Sequence, residues 1–196
     1  MTQWTEDPSG GRDRGPRAMA RAWVEVVVRP RRFFRIGIGT GDQAPALIFV
    51  MAVVALEEAT RFLLVEGAVP PVAGGTRSST AVALAVAVLI VAPASLHLVS
   101  ALQTVLLMLG APDRGGVSET VQVLAYATAP CVFAGLPVPA LRVACAAYAT
   151  ALYVAGLGRI HDLPLPRAVV LGAVPAAIAF GYAFRGFDAL FHLLGV

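Results

Sequence analysis

Apolar residues gather in five long runs, at about 44–64, 79–109, 119–136, 140–158 and 167–184, parted by short polar or Gly/Pro-rich breaks. A helix that crosses a bilayer needs roughly 20 predominantly apolar residues. Each run therefore reads as one span, and the class is an all-α membrane protein with a five-span helical bundle over 44–184. The second run is longer than a crossing requires and holds Pro93, which predicts a kinked or tilted helix. Pro137-Val138-Pro139 marks a tight reversal between the third and fourth spans.

Upstream the pattern changes. Arg17, Arg21, Glu25 and Arg29 recur every four residues while Met19, Trp23, Val26 and Val27 gather opposite them. That is an amphipathic juxtamembrane helix over 17–35, of the kind that lies in the membrane interface, with Pro30 interrupting it. Residues 1–16 mix Gly, Pro, Ser, Asp and Arg without a period, which predicts a disordered cytoplasmic tail. Residues 185–196 read as a short interfacial segment on the outer side, with Asp188 and His192 one turn apart.

Composition sharpens the class. Of 196 residues 58% are hydrophobic and only 14% charged, whereas soluble domains run near half and a quarter. An ordinary water-soluble globule is excluded. All fifteen basic residues are Arg, and eight of them precede the first apolar run. Positive charge marks the cytoplasmic side, so the expected location is the cytoplasmic (plasma) membrane, multi-pass, N-terminus inside and C-terminus outside. The same concentration of charge fits the anionic leaflet of the lipid bilayer, with no nucleic acid partner. Arg17, Arg21, Trp23, Arg29, Arg31 and Arg32 are the residues expected at that surface.

Two short strings have other readings. Arg31-Arg32 resembles a twin-arginine export signal, but Gly37 to Pro45 separates it from the apolar stretch. Gly39-Thr40-Gly41-Asp42 matches the GxGD string of intramembrane aspartyl proteases, which need two facing aspartates at membrane depth. Every other Asp lies in a tail or loop. Neither reading is adopted, and no catalytic constellation is identified.

Ionisable groups at membrane depth suggest function by default. Glu57 and Glu58 lie four and three residues before Arg61, a spacing at which they neutralise one another on one helix face. His97, Ser100 and Thr104 form a stripe on the second span with Gln103 beside it, and Glu119, Gln122 and Tyr126 form one on the third. Folded as a hairpin about Asp113, the two stripes are expected to face each other as hydrogen-bonding glue. The alternative is a small-solute or ion permease using Glu57, His97 and Glu119. No HxxxH, HExxH or CxxC spacing occurs, so neither a metal nor a cofactor is expected. Cys131 and Cys145 lie six residues either side of the Pro turn and are expected to be buried free thiols.

A family resemblance rests on several strings together: Pro30-Arg31-Arg32-Phe33-Phe34 closing the Arg-rich helix, Gly41-Asp42-Gln43-Ala44-Pro45, Tyr126-Ala127-Thr128-Ala129-Pro130 in the third span, and Arg167-Ala168 opening the fifth. In this order, with five spans and the N-terminus inside, they resemble the Yip-one membrane domain of the Ypt/Rab-interacting protein family, in its haloarchaeal branch, over about 30–184. The resemblance implies a non-catalytic membrane scaffold or organiser that works through protein–protein contacts, as a homo- or hetero-oligomer with other membrane proteins. Eukaryotic relatives associate with prenylated Rab-type GTPases. This chain lacks the Asp-Leu-Tyr-Gly-Pro motif of their cytoplasmic tails, which argues against GTPase binding.

Overall fold

The computed structural model describes residues 15–111 and 114–196; residues 1–14 of the predicted tail, and Pro112 and Asp113 of the predicted turn, lie outside the described residues. Among the described residues every regular element is helical. Helix α1 spans Pro16–Val28 and α2 spans Pro30–Ile36. Pro30 has no N–H to continue a helix, so the helix expected over 17–35 is two, hinged at Arg29.

Helix α3 runs Ala44–Leu64. After a Gly/Pro-rich loop, α4 (Thr76–Val86), a π-helical turn (Ala87–Val91) and α5 (Ala92–Gly110) follow without a break, giving one helix from Thr76 to Gly110. The wide turn lies just ahead of Pro93. A proline ring crowds the carbonyl four residues back, here Leu89, and supplies it no donor; a π turn around Leu89 relieves that conflict.

The third span departs from the sequence expectation. Instead of a continuous helix over 119–136, α6 stops after eleven residues (Val117–Ala127) and a 3-10 turn follows at Ala129–Phe133. Thr128 Oγ1 donates to Ala125 O (2.6 Å) at the break, and Pro130 denies the next turn its donor. Helix α7 runs Pro139–Ile160 after the predicted reversal. Helix α8 (Leu165–Ala176) widens into a π turn at Ala177–Ala183, and α9 spans Gly186–Leu194.

Three helices, Thr76–Gly110, Pro139–Ile160 and Leu165–Ala183, are long and apolar enough to cross a membrane. Charged residues Glu57, Glu58 and Arg61 set α3 apart from them, and shortness sets α6 apart. The fold is that of a helical membrane protein.

Helix α6 is the hub. Every residue from Thr120 to Cys131 is buried. Around Tyr126, Phe33 and Phe49 meet it edge-on with ring centroids at 4.8 and 5.1 Å, and Phe34 meets Phe33 at 5.7 Å. Such pairs add to the area they bury. Gly156 makes room for this cluster: a Cβ there would stand 2.6 Å from Val123 and 3.1 Å from Phe34.

Helix α1 packs on the bundle. Ala18, Ala22 and Val26, one turn apart, are buried, and the Trp23 ring meets Phe133 edge-on at 5.8 Å. The face expected in the membrane interface thus covers the chain's own 3-10 turn and α6, because Ala18, Ala22 and Val26, small or β-branched and one turn apart, let the helix come close. Arg17, Arg21, Arg29 and Arg31 remain on the exposed side and Arg32 is half-buried.

Candidate functional site

The charges of α3 assemble with Arg185 into one network. Glu57, buried to 2% exposure, accepts from Arg185 Nη2, and Glu58 Oε1 accepts from Arg185 Nη1 at 3.1 Å. Glu58 Oε2 accepts from Arg61 Nη2 at 2.7 Å and from Arg61 Nε at 3.0 Å. Arg61 also donates to Ala68 O (3.3 Å) in the following loop and lies 4.8 Å over the Phe62 ring. Glu58 and Arg61 therefore pair as their spacing predicts. Glu57 does not join that pair; it ties α3 to the start of α9.

Local backbone makes this possible. Arg185 adopts a left-handed conformation (φ 57°) between the π turn of α8 and α9, which turns the chain back sharply. Phe187 then lies over Gly181, where a Cβ would meet its ring at 2.3 Å. On the other side Gly135 lets the 134–138 turn touch α3, since a Cβ there would stand 2.0 Å from Glu57 O. Arg142 fastens that turn by donating from Nε to Ala134 O (2.8 Å). Buried ion pairs add little net stability, but removing one partner strands the other at a cost of about 3–5 kcal/mol.

The two polar stripes meet other partners than the ones expected. Gln122 clamps the linker before α3: its Nε2 donates to Gly39 O (2.6 Å) and its Oε1 accepts from Gly39 N (3.1 Å). Gln103 Oε1 accepts from Tyr153 Oη of α7 (2.7 Å), and Thr104 Oγ1 donates to Ser100 O within its own helix (2.8 Å). The hairpin pairing fails because α6 lies among α2, α3 and α7 as well as α5, so its side chains have nearer polar neighbours. His97 faces the exterior with Nδ1 2.7 Å from Pro93 O. Glu119 lies in the first turn of α6, so Glu57, His97 and Glu119 are not brought together.

Trp23 Nε1 donates to Ala129 O (2.8 Å), and Tyr148 Oη donates to Val27 O, so the C-terminal half of α1 is tied to the bundle at two points one turn apart. Beyond the C-terminal end of α7, His161 is buried with Nε2 3.2 Å from Thr120 Oγ1. Burial pushes its imidazole down to about 4, nearby Glu119 opposing and Arg114 reinforcing the shift. Cys131 and Cys145 are both buried and free. Among the described residues no three His, Cys, Asp or Glu side chains gather as a metal site.

Sequence reasoning missed Arg185, Tyr153 and the Thr120–His161 contact. A signal for the first exists: a buried carboxylate needs a counter-charge, and Arg185, beside Gly186 at a span end, is one of few arginines available on that side of the bundle.

The family model described as the Yip1 domain matches residues 24–185. No curated protein and no solved structure matches the chain.

Proposed function

The chain belongs to the Yip family, and from that premise we propose that it is a non-catalytic scaffold or organiser of the plasma membrane, acting through contacts with copies of itself or other membrane proteins. In this reading α3, the Thr76–Gly110 helix, α6 with its 3-10 turn, α7 and α8 are the five passes. The Arg-rich N-terminus is cytoplasmic and α9 lies at the outer face, as the positive-inside rule favours.

One observation carries this reading. Four carboxylate and amide groups inside the bundle end on a side chain or main chain of another element: Glu57 and Glu58 on Arg185, Gln103 Oε1 on Tyr153, Gln122 on Gly39, while among the described residues Ser100 Oγ and Gln103 Nε2 are buried without a hydrogen bond. The four act as ties between elements. A permease would instead need such groups aligned along a common path, and His97 on the outer face does not suit one.

Affinity capture from crosslinked native membranes tests the proposal. A reproducible membrane-protein partner, or a crosslinked oligomer of the chain, is expected, together with background solute and proton flux in reconstituted vesicles. Flux above background that is lost in Glu57→Gln would overturn the scaffold reading in favour of a permease. Orientation is checked by labelling Thr5→Cys and Gly195→Cys in a chain without Cys131 and Cys145. The first is expected to react from the cytoplasmic side and the second from outside.

A further inference from the structure

Between α3, the Thr76–Gly110 helix, α6 and α8 lies a cavity of about 290 Å³. Three features set it apart from a packing defect. Both π-helical turns among the described residues contribute to its wall, through Ala87 and Val91 on one side and Ala179 and Ala183 on the other. Wide turns of this kind recur at functional sites. Most of the rest of the wall is apolar, and the exposed side chains Val91, Leu98 and Ile178 leave the slot open to the outer surface of the bundle, where hydrocarbon can enter it.

The third feature is polarity at one end. Along α3 the wall runs from Val50 and Val54 to Glu57 and Glu58, a slot about 12 Å long at 1.5 Å per residue. Glu57 Oε1 is engaged by Arg185, while Oε2 makes no hydrogen bond among the described residues and is an available acceptor. Ser95 and Thr128 are the other polar residues of the wall. The slot thus has an apolar body reaching towards the middle of the spans and a hydrogen-bond acceptor near their outer end, which is the orientation of a lipid in the outer leaflet.

We propose that this cavity is a binding site for a single-chain membrane amphiphile: its hydrocarbon chain lies between the two π turns, and a hydrogen-bond-donating head, a hydroxyl or an amine, meets Glu57 Oε2. A carboxylate head is disfavoured because, ionised, it has no hydrogen to donate to Glu57 Oε2, and the guanidiniums of Arg61 and Arg185 already pair with Glu57 and Glu58. The site requires the bundle to lie in a membrane, and its place in the outer leaflet rests on the N-in topology proposed above, but it does not depend on the scaffold reading. A scaffold or a permease would each accommodate it.

The test uses the full chain in lipid nanodiscs and a long-chain alcohol bearing a diazirine midway along its chain. Photolabelling is expected to concentrate in peptides covering 87–99 and 178–184. Unlabelled long-chain alcohol or amine is expected to compete about tenfold better than the matching carboxylic acid, a difference of about 1.4 kcal/mol. Ala179→Phe, which fills the slot, is expected to abolish this labelling, and Val170→Phe on the exposed face of α8 to leave it intact. Should Ala179→Phe fail to fold, Ala87→Phe fills the slot from the opposite wall, and the competition ranking on the unaltered chain still decides. Labelling spread evenly over all exposed helix faces, equal competition by the acid, or labelling unchanged in the filled variants would each overturn the proposal.

Discussion

Helix α6 and the Thr76–Gly110 helix are neighbours with opposite surroundings. The long helix has the higher hydropathy, averaging 2.5 over its most apolar stretch, yet only 17% of that stretch is buried; Leu89, Ile90, Leu98 and Leu109 all face outward. Helix α6 carries Thr120, Gln122 and Tyr126 among its apolar residues and is buried on every side. A bilayer explains the inversion. Lipid tails solvate Leu and Ile as well as protein does, so burial in the bundle gains these side chains little. Polar groups in hydrocarbon must find partners, and the centre of the bundle is where partners are. On these two helices Ser100, Gln103, Thr120 and Gln122 mark the core, while His97 faces outward.

The largest contrast is expected from truncation at the hub. Tyr126→Ala removes the ring that Phe33 and Phe49 pack against and is expected to cost about 3–5 kcal/mol, read as a shift in the denaturant midpoint of the protein in mixed micelles. Arg185→Ala comes next, at about 3 kcal/mol, because it strands Glu57. Adding Glu57→Gln to Arg185→Ala is expected to recover part of that loss, whereas two independent effects would simply add.

Below these comes a pH effect at the foot of α6. His161 is held neutral when folded, with its imidazole at about 4 against an ordinary 6.5, so the unfolded chain takes up the proton first as pH falls. The contribution is therefore complete above about pH 6.5 and declines as pH drops from there towards 4. His161→Gln is expected to flatten the stability profile in that window; an unchanged slope would place the titrating group elsewhere. The smallest effect belongs to the long helix, where Leu89→Ala is expected to change stability by less than about 0.5 kcal/mol. A loss near that of Tyr126→Ala would break the comparison.

Much of this was legible in the sequence. Pro30, Pro93 and the Pro137–Pro139 pair each act where they stand, because a missing N–H is a local fact. Pro130 was equally visible, but an apolar run around it reads as one span until the break at Thr128 is seen. The amphipathic pattern of 17–28 was plain, yet such a face serves lipid or protein alike, and only the tertiary fit of Ala18, Ala22 and Val26 decides. For the candidate site, the spacing pointed to a self-paired cluster of Glu57, Glu58 and Arg61, and neither the burial of Glu57 nor its pairing with Arg185 followed from it. Arg185 reaches Glu57 only because a π turn and a left-handed residue fold α9 back, and neither has a periodic signature. Gln122 and Gln103 were recognised as glue, but their partners depend on helix rotation, which hydropathy does not encode.

Helix α6 and its polar residues form a dry, closed centre while the long helix meets lipid. Cysteine accessibility tests this directly, with Cys131 and Cys145 replaced by Ala and single Val121→Cys, Ala125→Cys, Leu89→Cys and Leu98→Cys variants in nanodiscs. The account predicts that a lipid-partitioning thiol reagent modifies the positions on the long helix, and that neither it nor a water-soluble reagent reaches 121 or 125. Modification of those two positions by the water-soluble reagent, at rates near those of a loop position, would contradict it and place an aqueous path through the middle of the bundle.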